Sequence, residues 1–156
     1  MEASRPLSAD PLGGSVAAVA FVQATSLFKD MPDAVMHLLY DKAEVVAFAP
    51  ADVVIAQDAT DTDLYIIFEG NVAVQKLVKG AWVHLADLER PAVFGELAAL
   101  TEQPRAAAVV STTDCRLIRV PGSTVRAIAE AAPKLGKRLA MLMSARGKDT
   151  ERKLCI

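Results

Sequence analysis

The hydrophobic pattern changes period twice along the chain. From Ala34 to Lys42, Val35, Leu38 and Leu39 recur at helical spacing. Beyond Ala43 the apolar residues gather instead into short runs rich in β-formers: Val45–Phe48, Val53–Ile55, Leu64–Phe68, Val72–Leu77 and Trp82–Leu85. Polar and turn-forming clusters separate them, among them Pro50-Ala51-Asp52, the acidic stretch Asp58 to Asp63, Glu69-Gly70-Asn71 and Lys79-Gly80. Ala107–Ser111 and Arg116–Val120 supply two more strands. Helical composition then returns in Ser123–Ala132 and Lys134–Ala145, divided at Pro133, a residue suited to a helix boundary or first turn. Ahead of the strands, Ser15 is placed to cap a helix over Val16–Ala24, and Leu27 to Asp33 carries a turn signature. The order is therefore helices, a run of seven or eight short strands with one interruption, and helices again. Strands at roughly eight- to twelve-residue intervals predict a sandwich or barrel.

Composition narrows the class. The chain has 156 residues, 53% of them apolar and 23% charged, which suits one compact domain with a single core. Aromatics are only 5%, so Val, Ile, Leu, Ala and Met must build that core. A net charge of −2 argues against a nucleic-acid-binding face. Cys115 and Cys155 stand far apart with no metal-ligand spacing around them, so no disulfide framework is expected, and a reducing, cytoplasmic setting fits. The apolar stretch Val16 to Val22 is too short to span a bilayer. Residues 1–14, punctuated by Pro6, Pro11, Gly13 and Gly14, are read as a flexible leader, 15–146 as the domain and 147–156 as a basic tail.

The interruption among the strands carries the chemistry. It runs from Phe94 to Val109, opening on Phe94-Gly95-Glu96-Leu97-Ala98 and carrying Pro104-Arg105-Ala106-Ala107 near its end. Gly95 opens a short helical turn whose first N–H groups lack intrahelical acceptors and face any ligand that approaches the glycine. Pro104 is expected to stop the turn and stiffen the approach to Arg105, which heads a strand of small side chains. An arginine fork beside a helix start can hold a phosphate. Glu96 beside that anion makes sense as acceptor for a hydroxyl of the same ligand.

These residues resemble the phosphate-binding cassette of the cyclic nucleotide-binding domain family, with the usual separation of Glu96 and Arg105. The resemblance extends over roughly residues 25–146: Leu27-Phe28 through Pro32 is similar to the family's lead-in helix and turn, and Leu64 to Gly70 to its central strand and turn. It implies a mainly β fold, an antiparallel β-roll of the double-stranded β-helix or jelly-roll type over about 44–120. N-terminal helices precede the roll, and C-terminal helices over about 123–146 end in a lid helix. It implies that Arg105 takes the equatorial phosphate oxygens, Glu96 the ribose 2′-hydroxyl, and backbone N–H groups of Leu97, Ala98 and Ala106 the rest. Gly95, Pro104 and Ala107 complete the ligand-binding set. Leu135, Leu139 and Leu142 form a stripe that is the candidate lid. Members favouring cGMP often carry Thr after the arginine, so Ala106 leans towards cAMP, with cGMP the second candidate.

The sequence departs from the family where Pro91-Ala92-Val93 and Pro50-Ala51-Asp52 stand in place of common glycines, and where Ala108 replaces a common Ser or Thr. The expected function is a non-catalytic sensor with no cofactor and no metal, acting on an effector protein or another subunit. About ten residues follow the last helix, so no DNA-binding domain is expected. Two rival classes are a ligand-free scaffold on the same fold and a cupin-like metalloenzyme. The latter needs a ligand cluster that His37 and His84, far apart, do not supply. Asp58, Asp61 and Asp63 read as a solvated turn, and Lys134, Lys137, Arg138, Arg146, Lys148, Arg152 and Lys153 as a solvated basic face.

Overall fold

A computed structural model describes residues 1–149 of the chain. The elements run β1 (Ser8–Pro11), a 3-10 turn (Leu12–Gly14), α1 (Val16–Ala24), α2 (Asp33–Lys42), β2 (Glu44–Phe48), β3 (Val53–Ile55), β4 (Leu64–Glu69), β5 (Asn71–Val78), β6 (Ala81–Glu89), β7 (Val93–Phe94), α3 (Glu96–Thr101), β8 (Ala108–Ser111), β9 (Cys115–Val120), α4 (Gly122–Ala131) and α5 (Pro133–Asp149). All strand pairs are antiparallel and form two sheets, ordered β1-β2-β9-β4-β7 and β3-β8-β5-β6. This is the β-roll with flanking helices that the sequence predicted.

The strand β4 explains how helices and roll join. Its side chains alternate: Tyr65 and Ile67 enter the interior of the roll with Phe94, Val109 and Leu117, while Leu64, Ile66 and Phe68 join the helices. Five successive residues are therefore buried, as in a strand covered on both faces. The helix-side core gathers Leu12, Val22, Phe28 and Leu39 around Ile128, Leu135 and Leu139. Ser15 Oγ accepts the N–H of Ala18 at 3.2 Å and caps α1 as expected.

Three sequence expectations need correction here. The segment read as a flexible leader is built into the fold: β1 pairs with β2 from Ser8↔Ala47 to Pro11↔Glu44, Ser4 bonds Val53, and Leu12 is fully buried. Backbone pairing at a sheet edge, not side-chain burial, orders it, and all four β1 side chains are exposed. The last helix does not end at Ala145 but continues to Asp149, so the first residues assigned to a basic tail are helical; positions 150–156 of that tail lie outside the described residues. Leu135 and Leu139, assigned to a lid, are fully buried in the helix-side core, where α5 packs on α4, so of the stripe only Leu142 remains partly exposed.

Candidate functional site

The site forms where β7 hands over to α3. Val93 and Phe94 pair with Ile66 and Tyr65, which fixes the next residue against the start of β4. Gly95 then turns with φ +86°, and a Cβ there would lie 2.7 Å from the carbonyl oxygen of Asp63 and 3.0 Å from Arg105 Nη1. Both the backbone angle and the close approach require glycine. No side chain caps the first turn of α3, which leaves the N–H groups of Leu97 and Ala98 without intrahelical acceptors. Ala98 is buried and Leu97 half-buried.

Arg105 is 3% exposed and gripped on all sides. Its Nη2 donates to Asp61 Oδ2 and to the carbonyl of Asp63, both at 2.7 Å, and Nη1 reaches the carbonyl of Gly95 at 3.3 Å. Its backbone is tied to the β3–β4 loop: Arg105 N–H bonds the carbonyl of Ala59, and Asp58 N–H bonds the carbonyl of Arg105, each at 2.8 Å. Its Nε is buried and has no partner among the described residues. Two details differ from the sequence reading. The turn is ended by Glu102, which takes a left-handed φ of 59° with its N–H on the carbonyl of Ala98, while Pro104 stands further on and exposed. Strand β8 starts at Ala108, so Arg105 precedes it, with Ala106 half-buried and Ala107 packed inside the roll.

Glu96 is fully buried at the first position of α3. One carboxylate oxygen, Oε1, pairs with the guanidinium of Arg146 on α5, which also donates to the carbonyl of Val93. The other, Oε2, is buried without a partner among the described residues. Burial pushes the carboxyl of Glu96 above its ordinary range, while Arg146 and, more weakly, Arg105 oppose the rise. Asp63 is also raised, by burial first and against the pull of Arg119.

Two residues of the site escaped sequence reading. Asp61, placed in a solvated turn, is the counter-ion of Arg105, and Arg146, placed on a solvated basic face, is the counter-ion of Glu96. Spacing could not reveal either, because folding brings each pair together across the whole domain. Beside Arg146 a cavity of about 560 Å³ opens between α5 and the segment before the cassette; Leu27, Val93, Met141 and Leu142 are among its walls. Of the stripe assigned to a lid, Leu142 alone lines it.

The antiparallel roll thus buries an arginine and a glutamate together at an uncapped helical turn, each held by one counter-ion. The profile of the cyclic nucleotide-binding domain matches residues 45–132, more than half of the chain, and the chain belongs to that family. It is 35% identical over 91 residues to a cAMP-dependent protein kinase regulatory subunit of Blastocladiella emersonii, covering 58% of this chain and 23% of that protein. Among solved structures it is similar to the regulatory domain of Toxoplasma gondii PKA crystallised with cAMP. That match has TM-score 0.67 and 26% identity, covering 74% of this chain and 45% of that one. Thermus thermophilus catabolite activator protein shares the fold at TM-score 0.70 and 22% identity, over 83% of this chain and 62% of that one. The chain thus spans about a quarter of the length of the kinase regulatory subunit it matches. Among the described residues no helix is long and apolar enough to cross a membrane.

Proposed function

We propose that the protein is a non-catalytic cyclic nucleotide sensor that binds cAMP in preference to cGMP and reports it through α5 to an effector protein or another subunit. The observation that carries this is the pair of buried, unpartnered polar atoms at the cassette, Arg105 Nε and Glu96 Oε2, flanking a helical turn with no side-chain cap. Buried polar atoms in folded proteins are seldom left unsatisfied, and a bound group that completes them gains their full desolvation cost. In the bound state Arg105 and the N–H groups of Leu97, Ala98 and Ala106 hold the cyclic phosphate, and Asp61, being 45% exposed in its side chain, passes to water. The ribose 2′-hydroxyl donates to Glu96 Oε2 while Arg146 keeps Oε1. The ligand therefore adds a bond to a carboxylate that α5 already holds, which favours the docked position of that helix. The base meets Leu142 in place of the whole stripe. A net charge of −2 and a phosphate site aimed inward speak for a small ligand instead of DNA, and a cytoplasmic location goes with this reading.

A second reading has one observation in its favour. Asp61 neutralises Arg105 and Arg146 neutralises Glu96, so the protein's own side chains balance both charges, as a scaffold that had lost its ligand would require. Isothermal titration with cAMP, cGMP and 2′-deoxy-cAMP separates the two. The sensor reading expects saturable binding of cAMP, weaker binding of cGMP, and a loss of about 1.5–3 kcal/mol for the deoxy analogue, the value of one hydrogen bond to a charged group. Heat from none of the three supports the scaffold. Recovery of AMP in step with the purified protein would overturn the non-catalytic assignment.

A further inference from the structure

The hairpin of β5 and β6 outruns the sheet that carries it. Strand β8 covers β5 only from Val72 to Gln75, so residues 76–83 continue as a bare two-stranded ribbon. Where β8 has run out, the side chain of Gln57 takes its place, accepting the N–H of Leu77 at 2.8 Å and donating to its carbonyl at 3.4 Å. Lys79 and Gly80, both with positive φ, close the ribbon in the tight turn that suits a twisted hairpin.

The tip of this ribbon is apolar on both faces. Leu77 lies opposite Trp82 on one face, and Val78 and Val83 lie on the other, given the alternation of side chains along each strand. Each is 42–43% exposed, and Trp82 is the only tryptophan of the chain. From Val72 to Ala86 there is no Asp or Glu, while Lys76 and Lys79 supply positive charge within a chain of net charge −2. Asp58 adjoins Gln57 on the neighbouring loop, and Asp87, paired with His84 at 3.3 Å, lies towards the far end of β6.

A flat protein surface can cover one face of such a ribbon, not two, and a second copy of the tip would set lysine against lysine. A lipid interface surrounds whatever enters it, accepts tryptophan at headgroup depth, and attracts lysine when the lipids are anionic. We propose that the 76–83 tip is a docking element for anionic phospholipid membranes, inserting Leu77, Val78, Trp82 and Val83 at the headgroup level while Lys76 and Lys79 engage lipid phosphates. The element works independently of whether the cassette binds a nucleotide.

Trp82 makes the test direct. The full chain is mixed with vesicles of phosphatidylcholine alone or of phosphatidylcholine with phosphatidylserine, and binding is read by flotation and by Trp82 emission. The expected result is co-flotation and a blue shift with the anionic vesicles only. The K76Q/K79Q variant, which keeps the reporter, should lose about fivefold in partitioning per lysine and about thirtyfold in all at low salt. L77S/V83S should lose the blue shift, its fold checked by circular dichroism. Absence of flotation, equal flotation on uncharged vesicles, or unchanged partitioning of K76Q/K79Q overturns the proposal. So does a dimer in gel filtration that Trp82→Ser converts to monomer, since the tip would then be covered by a second copy.

Discussion

Replacing Arg146 by methionine removes a contact that ties α5 to the cassette. The change keeps an unbranched chain of similar reach but removes the guanidinium from Glu96 Oε1 and from the carbonyl of Val93. The Glu96 carboxylate, fully buried and already lacking a partner at Oε2, is then an uncompensated charge. Breaking a buried pair in this way costs about 3–5 kcal/mol if the remaining group must stay ionised. Glu96 has an escape, since it can take up a proton. From an ordinary pKa of 4.5, neutralising a carboxyl at pH 7 costs about 3.4 kcal/mol, which sets the ceiling. The true loss lies below it, because burial already raises Glu96 in the unmutated protein. The sign follows from linkage: a carboxyl whose folded pKa is raised loses stability as the pH climbs from its unfolded value through the folded one. Removing Arg146 takes away the main group opposing that rise, so the folded pKa moves up again and the window widens towards neutrality. Urea unfolding of both proteins between pH 4.5 and 7 should therefore show a small difference at the acid end that grows towards pH 7 while staying below that ceiling. A difference independent of pH would show that Arg146 contributes packing alone, and the charge argument would fail.

Two further outcomes are expected. Arg105→Met should weaken cAMP binding at least about a hundredfold, the lower end of what losing a buried charge-assisted fork costs, and near-normal affinity in a folded variant would place the phosphate elsewhere. Adding cAMP should raise amide hydrogen-exchange protection over residues 133–146 more than in β2, and equal changes in both would mean that the nucleotide is held without engaging α5.

Much of this fold could be read from period alone, and the exceptions share a cause. Strands β3 and β4 carry enough apolar residues to announce themselves, and Ser15 signals the start of α1. Strand β1 has no buried side chain and exists only because the edge of β2 offers free backbone groups, which no side-chain pattern records. Strand β7 has two residues, too few for any period. The stripe of Leu135 and Leu139 reads as apolar, but periodicity names the buried face of a helix without naming what buries it; here it joins the helix-side core, with α5 packed on α4. Within the candidate site, Gly95, Glu96 and Arg105 could be grouped from sequence because they lie within eleven residues of one another. Their counter-ions were not, because an aspartate in a polar turn and an arginine in a basic helix look the same whether or not folding delivers them to a buried partner.

Those counter-ions change what binding has to accomplish. A site with bare charges would simply add a ligand, whereas this one must exchange partners or use the valences left over. The two pairs differ in how readily they part. Asp61 has 45% of its side chain exposed, so water can take over its charge when a phosphate arrives at Arg105. Arg146 is only 14% exposed, and Glu96 not at all, so separating them would strand two ions in the interior. The inexpensive route keeps the inner pair intact, spends Asp61 on the phosphate and satisfies Glu96 Oε2 with a hydroxyl. On the proposed reading the nucleotide thus acts on α5 by reinforcing a contact, not by breaking one, and the helix responds only to ligands that bring both the anion and the hydroxyl.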